Sequence, residues 1–480
     1  MSFQLLEIKV RNNEKIIIDV NFTNENKTSK EPLTTVILGI NGAGKSYLLS
    51  IICDVFRFLD KEDKFNKLKY EYYYIRYLLN NETYDIEIIN NKIINCQNEH
   101  YKNPQKILAI SYMINDKFPF VKFEESLNMK YEYLGMRQVS NGAWTNGIEK
   151  RVFETFVNNI DDKEFLKNLK SIFDFLNINP TIEFKFEPQT KSLFDKEIKY
   201  KDLVEKIERL SKSNSMKAYR ARGINKDELI ELVEFINSKK ITEYVESSKK
   251  IYSLEYEFNF ENLYSNNIEN FKYEYRIISK LINLKIIKSP HIYISKEYGD
   301  TYKFDDSSSG EQQMLFTLIS LAGKIKENSL ILIDEPEISI HPGWQMEYIE
   351  LIKRIFKNYN SCHFIISTHS HYLVSSLKKI SSSLVLLDKD SETNTIKAHI
   401  PEYDTYAWSA ENILLKIFNV KTCRNYYIAD YIDKILLEMS SGNILYLKSQ
   451  INELEDIYSA LVDADPLKDI VRELIKKGKN

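Results

Sequence analysis

Glycine, proline, cysteine and net charge are all scarce in this chain. Its 480 residues hold 13 glycines, 10 prolines and 4 cysteines, and 66 Lys+Arg nearly balance 69 Asp+Glu, for a formal charge of −3. Cys53, Cys96, Cys362 and Cys423 form no C-x-x-C pair, which excludes a zinc ribbon and a disulfide framework and suits a reducing cytoplasm. The charge balance excludes a chain that binds nucleic acid over its whole surface and leaves room only for a local basic face. No run of about 18 apolar residues exists, so no transmembrane span and no membrane partner are expected. Met1–Val10 sets Glu7 and Lys9 inside an alternating, strand-like pattern, unlike a signal peptide. Sustained heptads are missing, which excludes a long coiled coil.

The remaining composition is ordinary for a globular protein, with 43% hydrophobic residues. A chain of this length predicts two or three domains rather than a single core. The 32 tyrosines, together with plentiful Ile, Asn and Lys, read as compositional bias rather than as stacking platforms for bases.

Three of the few glycines fall within eight residues, Gly39-Ile40-Asn41-Gly42-Ala43-Gly44-Lys45-Ser46. This stretch fits the phosphate-loop pattern G-x-x-x-x-G-K-[ST] without a mismatch. Thr34–Leu38 before it reads as a buried strand, and Tyr47–Leu59 after it carries apolar residues at helical spacing. The mechanism needs a loop between strand and helix. Glycines bring backbone N–H groups close to phosphate oxygens, and the helix N-terminus adds positive potential. Asn41, Gly42, Ala43 and Gly44 would cradle the phosphates of ATP, Lys45 would neutralise the β- and γ-phosphates, and the Ser46 hydroxyl would ligate Mg²⁺.

Phe3–Val10 and Lys15–Phe22 read as two strands, and Tyr70–Cys96 as a small antiparallel meander with turns at Asn80-Asn81 and Asn90-Asn91. Lys106–Ser111 is a further buried strand. Residues 1–115 thus form one lobe. From 116 to 290 helical periodicity dominates, at Ile148–Leu176, Asp202–Leu210, Lys226–Ser238 and Ile268–Leu284, with strand-like pieces at Thr181–Phe186 and Tyr252–Phe260. This predicts an inserted, mostly helical domain. Within it Lys212, Lys217, Arg220, Arg222 and Lys226 cluster, and a solvated loop is the favoured reading over a phosphate- or partner-binding one. Residues 291–400 return to strand–helix alternation, and 401–480 read as a C-terminal helical region.

Leu330–Ile333 is an apolar strand ended by Asp334-Glu335-Pro336-Glu337, a Walker B element. Asp334 would hold Mg²⁺ through water, and Glu335 would orient and deprotonate the attacking water. Apolar-Asp-Glu alone is a weak signal, but it becomes strong downstream of a complete phosphate loop. Ser308-Ser309-Gly310-Glu311 leads into another helix, and Ser361–Ser367 is a strand ending at Thr368-His369-Ser370.

Taken in this order, the motifs resemble those of ABC-type ATPases. The resemblance implies a mixed α/β head with flanking helices and ATP and Mg²⁺ as ligands. It matches Ser308 and Gly310 to the signature that contacts the γ-phosphate held by a second protomer. It matches His369 to the switch histidine. Glu311 stands where transporters have Gln. Roughly 260 residues separate phosphate loop from signature, far more than a connecting loop, so a transporter ATPase is not favoured. Asp334-Glu335-Pro336-Glu337-Ile338-Ser339-Ile340-His341-Pro342 looks like the SMC-like and OLD-like ATPases. Asn115-Asp116-Lys117-Phe118-Pro119, Tyr133-Leu134-Gly135-Met136-Arg137 and Trp408–Leu414 look like the ATPase subunit of Septu-type and retron-linked anti-phage systems. That resemblance implies a homodimer or higher homo-oligomer that slowly hydrolyses ATP and controls a separate effector, a nuclease or toxin. Two alternatives stay open, an ATPase that clamps DNA directly and a nucleotide-binding scaffold with little turnover. For the Q-loop ligand, Asn115 and the more distant Gln138 are candidates; for the adenine contact, Arg11 and Asn12. No acidic nuclease cluster follows His369, and no H-N-H cluster is present, so a nuclease within this chain is not expected.

Overall fold

The computed structural model describes residues 2–23, 29–60, 63, 65, 67–96, 101–113, 115–121, 129–137, 146–189, 199–211, 225–238, 242–246, 249–262, 265–297, 299–390, 392–401, 405–418, 420, 424–463 and 465–479. Of the basic cluster, Lys212, Lys217, Arg220 and Arg222 lie outside these, as does Gln138. The chain divides into two compact units, Met1–Ala407 and Trp408–Asn480.

The first unit is built on a twelve-stranded sheet. Its N-terminal strands are β1 (Phe3–Asn12), β2 (Lys15–Asn21) and β3 (Leu33–Leu38); α1 (Lys45–Leu59) follows β3. A meander of β4 (Tyr72–Leu79), β5 (Glu82–Ile89) and β6 (Lys92–Cys96) precedes β7 (Ile107–Ser111) and β8 (Tyr131–Tyr133). The paired asparagines Asn80-Asn81 and Asn90-Asn91 all take positive φ, as tight hairpin turns demand and as Asn tolerates. After residue 300 the sheet gains β14 (Leu330–Asp334), β15 (His363–Thr368), β16 (Ser382–Lys389) and β17 (Ile396–His399). The strand order is β6-β5-β4-β1-β2-β17-β16-β3-β15-β14-β7-β8. The run from β16 to β8 is parallel. Every residue of β3, β7, β14 and β15 is buried, which is why these strands read as continuous apolar runs rather than alternating ones.

Apolar side chains of α1 pack on this sheet. Phe3, Phe56 and Tyr77 meet ring to ring at 5.4–5.8 Å between centroids, and Tyr84 stacks on Tyr77 at 5.3 Å. Several tyrosines therefore serve the core, each large ring needing one hydroxyl partner; Tyr77 donates to the Lys102 carbonyl at 2.8 Å. His363 ties β1 to β3. Its Nδ1 accepts from the Leu5 N–H at 3.1 Å, which leaves Nε2 to carry the proton donated to Thr35 Oγ1 at 2.8 Å.

A second sheet holds β9 (Thr181–Phe186), β10 (Thr242–Glu246), β11 (Lys249–Asn259), β12 (His291–Ser295) and β13 (Thr301–Lys303), in the order β10-β11-β9-β12-β13. It is antiparallel throughout. Around it lie α2 (Asn146–Asn159), α3 (Lys163–Phe175), α4 (Tyr200–Ser211), α5 (Lys226–Asn237) and α6 (Ser265–Asn283). The continuous periodicity over Ile148–Leu176 is two helices, because Asp162 caps the second through bonds from the Glu164 and Phe165 N–H groups. Phe153, Phe156, Phe184, Phe258 and Phe271 form a separate aromatic core, with centroids 4.6–6.3 Å apart. The segment from 116 to 290 is thus more than helical. It contributes β8 to the first sheet and β9, β10 and β11 to the second, and β12 and β13 from beyond it complete that second sheet.

The remaining helices of this unit are α7 (Ser309–Ala322), α8 (Pro342–Ile355) and α9 (His371–Val374). Lys353 on α8 is 3% exposed and donates to Ser381 and Ser382 Oγ, each at 2.8 Å. Burial holds its ammonium below the ordinary value of 10.5, against the pull of Glu350 and Glu31. The unfolded chain therefore binds more protons between the depressed folded value and 10.5, and stability rises with pH across that window. Lys353→Met is expected to remove this rise, a slope of at most about 1.4 kcal/mol per pH unit, when wild type and variant are compared by urea unfolding from about pH 7 to about pH 10.

The second unit carries α10 (Ala410–Lys416), α11 (Tyr426–Ser440), α12 (Ile444–Ser449), α13 (Ile451–Ala460) and α14 (Pro466–Lys479). Ile432, Ile435, Leu447, Leu454 and Val471 form its own small core. Among the described residues no helix is long and apolar enough to cross a membrane.

Candidate functional site

Strand register explains why residues far apart in sequence meet. Leu38, the last residue of β3, pairs with Thr368, the last of β15; Asp334, the last of β14, pairs with Ser367 on one side and Ser111 on the other. Three parallel strands thus end together, and the loops leaving them share one crevice, where an open α/β sheet places its ligands.

The loop after β3 turns through Gly42 (φ +84°) and Gly44 (φ +95°) into α1. A Cβ on Gly44 would lie 2.5 Å from the tip of Ile396, which could turn aside, so the backbone angle is what requires glycine there. Lys45 is only 4% exposed. Its Nζ donates to the Gly39 carbonyl at 2.9 Å and lies 2.6 Å from His369 Nε2. Burial pulls the ammonium below its ordinary value, opposed by Glu335, Asp334 and Glu337. Ser46 Oγ donates to Asp334 Oδ1 at 3.2 Å, and Ser367 Oγ donates to the same oxygen. Burial pushes the Asp334 carboxyl up to about 6 against those two bonds, with Glu335 adding like-charge repulsion.

Glu335 sits in the left-handed region at φ +50°, a strained backbone for a residue with a Cβ. Its N–H donates to the Ser367 carbonyl at 2.9 Å, and its Oε1 lies 3.1 Å from His369 Nε2. The bond to His369 holds the Glu335 carboxyl below the usual range. The structure therefore brings Lys45, Ser46, Asp334, Glu335 and His369 together. Asn41, Gly42 and Ala43 lie in the loop that leads to them.

Sequence reasoning overlooked Glu337. It is half-buried, one oxygen accepts from the His369 N–H at 2.5 Å, and the other, Oε2, is shut off from solvent without a hydrogen-bond partner. Burial raises its carboxyl above the ordinary value. Three carboxylates, one of them with an orphaned oxygen, surround one lysine and one hydroxyl. That donor set fits a divalent cation and phosphate: Ser46 and Asp334 would hold the ion, and Lys45 with the loop N–H groups the phosphates. Glu337 lies three residues after Asp334, and a carboxylate after Glu-Pro was the available signal. Gln345 supports the next turn, donating to the Glu337 and Ile340 carbonyls and accepting from Ser370 Oγ at 2.7 Å.

Ser308 and Gly310 stand elsewhere in the unit, at the N-terminus of α7. Ser308 is the exposed N-cap and Gly310 is buried. A Cβ on Gly310 would fall 2.4 Å from the Ser339 carbonyl, and Ser339 has φ +65°. The signature turn therefore packs directly on the loop that follows Walker B. Gly310→Ala is expected to push that loop away and cost about 1–3 kcal/mol, read as a lowered urea midpoint. His341 caps α8 by accepting from the Gly343 N–H at 3.1 Å. Asn115 is exposed. Beside it Asp116 is held by Arg137 in a two-bond pair, at 2.6 and 2.9 Å, and by the Tyr133 hydroxyl at 2.6 Å. Arg11 lies over the Tyr72 ring at 5.0 Å and lines a cleft with Asn13, Glu14 and Glu71; Asn12 pairs with Lys15 in the β1–β2 hairpin.

A run of parallel strands that ends in the glycine loop before Lys45, in Asp334-Glu335 and in His369 defines an α/β P-loop fold of the kind found in ATPases. Residues 151–375 match the family described as "AAA domain, putative AbiEii toxin, Type IV TA system", a stretch that includes signature, Walker B and switch but begins after the phosphate loop. The chain is similar to Septu protein PtuA of Bacillus thuringiensis, 28% identical over 177 residues that cover 33% of this chain and 43% of that protein. It is also similar to the Retron Vc95 probable ATPase of Vibrio cholerae, 24% identical over 386 residues, 72% of this chain and 67% of that one. The match thus spans less than half the length of the Septu protein. Among solved structures, the SMC head domain from Thermotoga maritima aligns with 83% of this chain and 100% of its own at 12% identity, with a TM-score of 0.33.

Proposed function

We propose that this chain binds ATP and Mg²⁺ in the crevice beside Gly39–Ser46 and hydrolyses the nucleotide slowly between two copies of itself. We further propose that the cycle controls a separate effector, a nuclease or toxin, in anti-phage defence. The convergence of Lys45, Ser46, Asp334, Glu335 and His369 within hydrogen-bond reach carries this reading. The names of the Septu and retron relatives support the defence context.

Lys45 is engaged by Gly39 and His369. An arriving triphosphate would take Lys45 from His369, leaving the imidazole to face the γ-phosphate. Glu335, already aligned by His369, is the base that orients a water and accepts its proton as the water's oxygen bonds to the γ-phosphorus and the β–γ bridging bond breaks. Mg²⁺, when bound, would neutralise charge on the β- and γ-phosphates. Ser308 and Gly310 of one copy would contact the γ-phosphate held by the other. On this reading the twelve-stranded sheet with its helices is the ATPase head, running past 115 to take in β8 and leaving β12 and β13 to the inserted segment, and that segment and the C-terminal region 401–480 hold or release the effector.

Native mass spectrometry of the tagged chain, co-expressed with its gene neighbours in Mg²⁺-ATP, tests the proposal. A nucleotide-bound complex of two or more copies with a second protein is the expected result. A homodimer alone, with salt-sensitive and ATP-stimulated DNA binding, would replace effector control with direct DNA clamping.

A further inference from the structure

The signature helix carries a carboxylate where a phosphate is expected to dock. A helix N-terminus attracts anions through its free N–H groups and its dipole. In α7 the third residue, Glu311, closes a capping box. Its N–H donates to Ser308 Oγ at 3.3 Å, and its Oε2 accepts from the Ser308 N–H and hydroxyl, each at 3.2 Å. This holds the turn rigid, but it also sets a negative charge beside the hydroxyl that would donate to a γ-phosphate. An amide, as transporters have at this position, would cap without that charge.

The offsetting charge comes from a different part of the fold. Lys296 directly follows β12 of the second sheet. Its Nζ bonds Glu311 Oε1 and donates to the Leu176 carbonyl, at the end of α3, at 3.0 Å. The Lys296 and Glu311 side chains are 36% and 17% exposed, so solvent screens the pair less than a surface one.

We propose that Lys296 is a positioning residue for the signature site: by neutralising and orienting Glu311, it keeps the Ser308 turn able to receive the γ-phosphate bound by a second copy. This rests on the two-copy reading of the ATP site given above. It also gives the second sheet a physical hold on hydrolysis. Lys296 moves with β12, which pairs with β9, so a partner that shifts this sheet alters the charge presented at Ser308.

The test uses the full chain. Lys296→Met is expected to lower steady-state ATP turnover about tenfold, as loss of a close compensating charge does. Affinity of the phosphate loop for a fluorescent ATP analogue should be unchanged, because Lys296 does not touch it, and Lys296→Arg should retain turnover. The deciding comparison repeats Lys296→Met in the Glu311→Gln background, where no charge remains to be neutralised and the loss should shrink to less than about threefold. Equal losses in both backgrounds would assign Lys296 a structural role through Leu176 and overturn the proposal, as would no loss in either. Undiminished turnover in Ser308→Arg would overturn the two-copy reading itself, so the two failures are told apart.

Discussion

Glu335→Gln is expected to bind Mg²⁺-ATP as tightly as the wild type and to hydrolyse it at least about 100-fold more slowly, the usual loss when a positioned general base is removed. The groups that would bind nucleotide, Lys45, Ser46 and Asp334, keep their contacts in this variant. The amide has the shape of the carboxylate and can still bond His369, but it cannot accept the proton of the attacking water. Removing a negative charge near the γ-phosphate should not weaken binding. Single-turnover hydrolysis with bound ATP separates the two effects. A variant that still turned over at the wild-type rate would move the base to Glu337, whose free Oε2 lies in the same acidic cluster.

The second large effect concerns the division of the site between copies. Lys45→Ala removes the phosphate contact, and Ser308→Arg blocks the signature turn, so each variant alone should lose nearly all turnover. Mixed in equal amounts and allowed to exchange, they should regain it. Half the randomly formed dimers pair one variant with the other, and each such dimer holds one composite site with native Lys45 and native Ser308. Turnover should therefore return to about a quarter of wild type. No recovery, in a mixture shown to exchange subunits, would mean that Ser308 acts on its own chain's nucleotide or on none.

The parts of the site that were legible in the sequence are those where local chemistry restricts the residue. Gly42 and Gly44 need positive φ, and few side chains tolerate it. The strands ending at Asp334 and Thr368 are buried on both faces, so they appear as unbroken apolar runs. Ser308 and Glu311 have the three-residue spacing of a capping box. Less legible were contacts with no local signature. Glu337 acquires its meaning only because His369 folds back on it across 32 residues. The Asp116–Arg137 pair and the Lys296–Glu311 pair join elements whose approach is set by the sheets. The second sheet was half legible for a related reason. Strands over Thr181–Phe186, Tyr252–Phe260, His291–Lys296 and Thr301–Phe304 could be read from pattern, but their pairing across intervening helices could not, and the short β10 did not stand out from a loop.

The position of β3 also bears on how the protein is made. Both neighbours of this strand, β15 and β16, come from the last quarter of the chain. A ribosome adding about 5–20 residues per second leaves Leu33–Leu38 without either partner for something like 15–65 s. Throughout that interval a charge-free segment rich in β-branched residues has two open edges, the state most prone to pair with a neighbouring nascent chain. The phosphate loop stays unformed for the same period, because the strands that hold Asp334 and His369 beside it have not yet emerged. A prematurely terminated chain would thus be both inactive and sticky. Synthesis of this protein should depend on holdase chaperones far more than its final stability would suggest.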